Sequence, residues 1–157
     1  MATHGILLVG VGNPYRQDDG AGIAVVRRLR PLLQERVECV ECTGDLIALM
    51  DIWQGYEQVV VIDAMHSGRS AGEVIRLDAS RRSLPADGHF SFTHAMGLNE
   101  TLALAHALNQ MPPKLVIYGI EGKHFGEGEA LSAEVAKAVE DVVRYILQEL
   151  REGNGDA

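Results

Sequence analysis

Cysteine, positive charge and long hydrophobic runs are all in short supply in this chain, and each shortage closes off a class of function. Only two cysteines are present, Cys39 and Cys42. They are too few for a disulfide framework and lack the second ligand pair that a structural zinc site needs. Their spacing is nominally that of a redox pair, but such a pair works at a helix N-terminus, where the dipole lowers a thiol pKa. Here the run Val37-Glu-Cys-Val-Glu-Cys reads as a strand, on which positions three apart face opposite sides. Two reduced thiols in or near a core are expected, and they suit the cytosol.

Basic residues number 14 against 22 acidic ones, a formal net charge of -8. Such a balance repels phosphate backbones, so nucleic acid is not an expected partner. Arg27, Arg28 and Arg30 on one predicted helix, and Arg81-Arg82 in one loop, read as solvated surface. No apolar run nears the roughly 20 residues of a membrane helix. The first residues lead into a strand without a basic segment or a signal-peptide core. No membrane partner and a cytoplasmic location are the expectations.

Against those shortages stands a chain of 157 residues that is 46% hydrophobic, a length that suits one domain with a sizeable core. Residues 6–11 are continuously apolar, as in a central strand covered on both faces. A helix starting near Asp19 or Gly20 carries Gly22, Val26, Leu29 and Leu33 on one stripe, and Pro31 ends or kinks it near Arg30. Residues 37–41 form a second strand. Thr43-Gly44-Asp45 then caps a short helix bearing Leu46, Leu49, Met50 and Trp53, which Gly55 closes. Residues 58–63 are the strongest strand signal, with Asp63 at the C-terminal end. The next strand, 73–78, follows too short a connection for a helical crossover, so it runs antiparallel at an edge. A loop over 79–91, a helix from His94 or Ala95 to 108, and a strand over 114–120 come next. The glycine-rich stretch 121–131 is long for a connection and is a candidate functional loop. A last helix follows the cap Ser132. The pattern predicts an α/β fold: a three-layer αβα domain over 1–152, with a flexible tail at 153–157. Its twisted, mostly parallel five-stranded sheet has one antiparallel strand and helices on both faces.

Ligands of such sheets gather outside the carboxyl ends of the strands. Asp18 or Asp19 after the first strand, Asp63 at the end of the third, and His94 opening a helix converge there. Two carboxylates and an imidazole suit a divalent transition metal with positions left open. Taken singly, each has a plainer reading: Asp18 as a helix cap, Asp63 as a partner of loop backbone, His94 as a helix-start residue. The competing motifs fail. Gly10-Val-Gly12 lacks the third glycine of a dinucleotide fingerprint, no P-loop lysine follows, and no serine elbow is present. His124-Phe125-Gly126 reads as surface.

The segments Gly10-Val-Gly-Asn13, Asp18-Asp19-Gly20-Ala21-Gly22, Val61-Ile-Asp63-Ala64, His94-Ala-Met-Gly97-Leu98 and Val116-Ile-Tyr-Gly119-Ile120 together resemble the hydrogenase maturation proteases. The resemblance runs in the same order over nearly the whole chain. It implies an endopeptidase, labelled aspartic-type, that removes a C-terminal extension from the large-subunit precursor of a nickel-iron hydrogenase. It further implies that Asp19, Asp63 and His94 form the metal-contacting and catalytic triad, and that Glu41 helps recognise the substrate. Nickel is then expected to arrive with the precursor rather than to be held permanently, and a monomer suits so large a partner. Two alternatives remain at this stage. One is a metal-sensing assembly chaperone that binds the precursor without cutting it. The other is a peptidyl-tRNA-hydrolase-like enzyme, whose opening Val9-Gly-Val-Gly-Asn-Pro14-Tyr15 resembles but whose neighbouring histidine Arg16-Gln-Asp-Asp19 lacks.

Overall fold

The structure, a computed structural model, describes residues 4–33, 36–80 and 98–155. Five strands form one sheet in the order β2-β1-β3-β5-β4: β1 His4–Val11, β2 Val37–Cys42, β3 Tyr56–Met65, β4 Val74–Asp78 and β5 Lys114–Glu121. Strands β1, β2, β3 and β5 are mutually parallel. β4 runs antiparallel on the outside of β5, as its short connection requires.

Helices cover both faces. α1 (Ala21–Leu29) and α4 (Ala133–Gly155) lie on one side, where Val25, Val26, Leu29, Val139, Val142 and Ile146 pack on Leu8, Val60 and Ile62. α2 (Leu49–Ile52) and α3 (Leu98–Ala107) lie on the other, where Leu49, Trp53, Leu98 and Leu102 pack on Leu7, Val9, Val59 and Val61. The alternation of core residues along β1 and β3 shows why both strands read as unbroken apolar runs: each residue has a helix to meet. The two cysteines divide as a strand dictates, Cys39 against the α1–α4 layer and Cys42 in the α2–α3 layer.

Several boundaries differ from the sequence reading. A 3-10 turn, Gln17–Gly20, precedes α1, so the helix proper starts at Ala21 and ends at Leu29, with a further 3-10 turn at Arg30–Leu32 where Pro31 falls. Asp45 caps the next turn as expected, its carboxylate accepting the Ile47 N–H at 3.0 Å. That segment, however, starts as a 3-10 turn, Leu46–Ala48, before α2. α4 runs on to Gly155, into the stretch read as a tail. The expected loop beyond Ser80, Arg81-Arg82 and the helix start at His94 lie outside the described residues. Among the described residues, no helix is long and apolar enough to cross a membrane.

Glycine sets how closely α1 approaches the sheet. A Cβ on Gly22 would lie 2.1 Å from the Ile62 carbonyl oxygen and 2.8 Å from that of Val11. Both obstacles are backbone, so neither can swing aside. Gly22→Ala is expected to push α1 off β1 and β3 at a cost of about 1–3 kcal/mol or more, read as a thermal melting point lower by roughly 2–4 °C per kcal/mol.

Candidate active site

With the order β2-β1-β3-β5-β4, the connection leaving β1 runs to one side, to β2, and that leaving β3 runs to the other, so the crevice of such a sheet opens at the carboxyl ends of β1 and β3. Two expected site residues flank that point. Asp19 stands on the 3-10 turn that follows β1, and Asp63 stands on β3; their exposures are 2% and 0%. The turn and β3 pack directly on one another.

Asp19 is fixed from below. Its Oδ2 accepts the Asn13 N–H at 2.9 Å, closing the segment over the end of β1. Gly12, at φ 141°, passes so close that a Cβ there would lie 2.0 Å from the Asp19 carbonyl oxygen. Only glycine suits both the angle and the gap. Asp63 lies within β3 rather than at its end. The strand continues through Ala64 and Met65 because their pairing with Ile120 and Glu121 of β5 continues. The Asp63 Oδ1 accepts the Ala64 N–H at 2.8 Å. Alternating with Ile62 and Ala64, Asp63 shares the side of Val59 and Val61, the side on which α3 packs. His94 lies outside the described residues; Leu98, shortly after it in the chain, is fully buried on that same side. Among the described residues alone, no group of three or more His, Cys, Asp and Glu side chains is placed to hold a metal ion.

Asp18 does something other than cap a helix. Gly20 occupies the N-cap of α1, and no side chain caps either that helix or the turn before it. The Asp18 carboxylate instead reaches across to the glycine-rich loop. It accepts the N–H groups of Lys123 (2.8 Å), His124 (2.9 Å) and Ser132 (2.8 Å) and the Ser132 hydroxyl (2.9 Å). Burial pushes this carboxyl up, and the donors from His124, Ser132 and Lys123 together outweigh it, so the group titrates below its ordinary 3.8. The loop is further zipped to the segment before it, with the Gln17 N–H donating to the Gly128 carbonyl and the Gly128 N–H to that of Tyr15. The long loop is therefore pinned to the segment that carries Asp19, and Ser132 spends its hydroxyl on Asp18.

Two more residues at this rim had no signal in the sequence. Glu121, 1% exposed at the end of β5, accepts the Ser67 N–H at 2.9 Å and the Ser67 hydroxyl at 2.6 Å, fastening the β3–β4 connection. His66 stacks on Phe125 with ring centroids 5.0 Å apart, so Phe125, read as surface, is half-buried. Glu41 lies at the edge of the site, level with Gly10 on β1. Arg27 grips its carboxylate through Nε at 3.0 Å and Nη2 at 2.9 Å, with Arg30 at 3.4 Å. The Arg27 hydrogen bonds foremost hold that carboxyl below its usual range. The arginine face is solvated surface as expected, with its head groups paired, since Arg28 pairs in the same way with Glu140 of α4.

Asp18, Asp19, Asp63 and Glu121 bring four buried carboxyl groups to one end of the sheet. Asp18 and Glu121 hold loops there, while Asp19 and Asp63 flank the crevice. Carboxyl oxygens gathered at such a rim suit a cation better than a phosphate or a nucleotide.

Residues 23–149 match a family model described as hydrogenase maturation protease. A Methanocaldococcus jannaschii protein named as a candidate hydrogenase maturation protease is 31% identical, over 96% of this chain and 99% of that one. Among solved structures, a nickel-iron hydrogenase maturation protease from Thermococcus kodakarensis superposes with a TM-score of 0.68 at 26% identity, covering 96% of this chain and 99% of its own. The Escherichia coli hydrogenase maturating endopeptidase has the same fold, with a TM-score of 0.76 at 21% identity over 98% of this chain and 94% of its own.

Proposed function

The chain belongs to the hydrogenase maturation protease family, and from that premise we propose that it removes the C-terminal extension of a nickel-loaded hydrogenase large-subunit precursor. The nickel is cargo of the substrate, held on its own cysteine thiolates. Asp19, Asp63 and His94 complete the coordination and so sense that loading has occurred. The observation that supports this most is the placement of Asp19 and Asp63, both buried, on the two segments that flank the crevice between β1 and β3. Two carboxylates with an imidazole suit a borderline divalent metal.

Docking the metal against these residues lays the adjoining peptide over the rim. A carboxylate there serves as general base for the attacking water, or the ion lowers the pKa of that water and polarises the carbonyl. Neither route resembles a pair of aspartates sharing one proton, since Asp19 and Asp63 are assigned as ligands. Glu41, held anionic by Arg27 and Arg30, marks the side from which the precursor enters. The enzyme works as a cytoplasmic monomer on a folded partner.

The deciding measurement mixes the purified protein with a precursor, with and without nickel, and follows the large subunit on a gel. A mobility shift in the nickel-loaded sample alone is expected. Cleavage of both samples would remove the metal-sensing role, and binding without cleavage of either would remove the peptidase role.

A further inference from the structure

The sheet has one edge whose open side is defined by its own hydrogen bonds. Two bonds fix which groups of β2 face β1: the Ile6 N–H donates to the Arg36 carbonyl at 3.3 Å, and the Gly12 N–H to that of Cys42 at 3.1 Å. In a parallel ladder the N–H and C=O of one residue point to the same side, and the side alternates along the strand. Residues 36, 38, 40 and 42 therefore bond to β1, and Val37, Cys39 and Glu41 turn their backbone groups outward. The Arg30 side chain agrees with this parity, since its Nη2 lies 3.4 Å from the Cys39 carbonyl. No other bond to these outward groups is formed by the described residues.

Natural proteins blunt such edges with lysine, proline, bulges or an overlying loop. β2 is a regular strand with the sequence Val-Glu-Cys-Val-Glu-Cys, paired without interruption to β1 over Ile6 to Val11. Among the described residues its covering is Arg30, through one long bond that a competing strand can displace. The edge also leads to the proposed site: Cys42 is level with Val11, one residue before Gly12 passes beneath Asp19. Beyond it, no described residue other than its chain neighbours comes within 4 Å of where a Cβ on Gly44 would stand.

The geometry points to the open edge of β2 as the acceptor of the precursor's C-terminal extension, which pairs with it as an added antiparallel strand and places an acidic side chain against Arg30. This rests on the function proposed above and adds where the departing segment lies. The direction follows from the site. A peptide cut at the carboxyl end of the sheet leads its downstream residues toward the Val37 end, opposite in sense to β2. About five residues span this strand at roughly 3.4 Å each. Arg30, released from the Cys39 carbonyl, is left between one glutamate and the newcomer. Arg27 and Arg30 share the single carboxylate of Glu41, so the spare positive charge selects an acidic residue. Main-chain pairing of this kind supplies affinity with little sequence demand, and the side-chain contacts supply choice.

The test uses the whole protein and the nickel-loaded precursor in excess. Amide exchange is pulse-labelled during turnover, and the steady-state constants of Cys39→Pro are measured beside it. Proline removes an outward N–H while leaving every bond to β1 in place. Protection of the Cys39 and Glu41 amides during turnover is expected, with a KM raised about tenfold and kcat nearly unchanged in the variant. Cleavage that proceeds with those amides as exposed as in the free protein overturns the added strand and leaves the proposed function standing. If Cys39→Pro fails to fold, the exchange result on the parent protein decides alone. Failure to cleave any loaded precursor overturns the proposed function, and this inference with it.

Discussion

Asp63→Asn and Asp19→Asn, each made alone, are expected to lower cleavage of a nickel-loaded precursor by at least about 100-fold, with a melting temperature close to that of the parent protein. Asparagine is chosen because it keeps the volume and one acceptor oxygen. The bond from the Ala64 N–H to Asp63 and that from the Asn13 N–H to Asp19 both survive the change. The negative charge does not survive it, and charge is what a borderline metal draws from these positions. The cost of keeping a charge out of water is removed by the same change. A loss of cleavage without loss of stability therefore separates a metal-contacting role from a structural one. His94→Gln, which removes the imidazole, is expected to fall with them. The measurement is the rate of the gel-mobility shift at fixed precursor, with melting curves taken in parallel. Variants that cleave within a few-fold of the parent rate would remove Asp19 and Asp63 from the reaction.

Most of the architecture was legible because it rests on local patterns. Strands β1 and β3 announced themselves as apolar runs, since both faces are covered and every residue along them is in a core. The antiparallel edge strand followed from the length of one connection, and Pro31 placed the end of α1. The site divided differently. The positions of Asp19 and Asp63 near the carboxyl ends of β1 and β3 were legible from the fold class, although Asp19 stands on a 3-10 turn and Asp63 two residues before the end of its strand. The role of Asp18 was not, because its partners lie 105 to 114 residues away in the chain and nothing near it distinguishes a cap from a long-range anchor. Glu121 was hidden for a related reason. Its partner Ser67 sits in another connection, 54 residues earlier, and the residue itself was read as the start of the glycine-rich loop rather than the end of β5. The reach of β3 past Asp63 depended on pairing with β5, which a strand's own residues do not reveal.

Asp18 carries the largest expected effect on stability. Its carboxylate accepts three backbone N–H groups and one hydroxyl in a fully buried position. Hydrogen bonds to a charged group contribute about 1.5–3 kcal/mol each, and those sharing one carboxylate are far from additive. Asp18→Ala takes the acceptor from three backbone N–H groups and one hydroxyl in part-buried bonds and is expected to cost about 3–5 kcal/mol, a fall of roughly 10 °C in the melting point. Asp18→Asn is informative in a different way. Whichever way its amide is turned, an NH2 group meets at least one backbone donor, that of Ser132 on one side or those of Lys123 and His124 on the other. The dependence on pH has a definite sign. Because the folded-state carboxyl titrates below its ordinary 3.8, its contribution is complete above that value. It is lost as pH falls through the lower folded-state value. The stability gap between the parent and Asp18→Asn is therefore expected to be constant from neutral pH down to about 4 and to narrow below it. Denaturant melts across that range measure the gap, and amide exchange at Lys123, His124 and Ser132 locates it. A gap that stays unchanged into strong acid would mean that the charge on Asp18 does not hold the loop. Because Asp19 is the next residue on the same turn, freeing the loop also loosens the turn that holds Asp19, and cleavage is expected to fall along with loop protection.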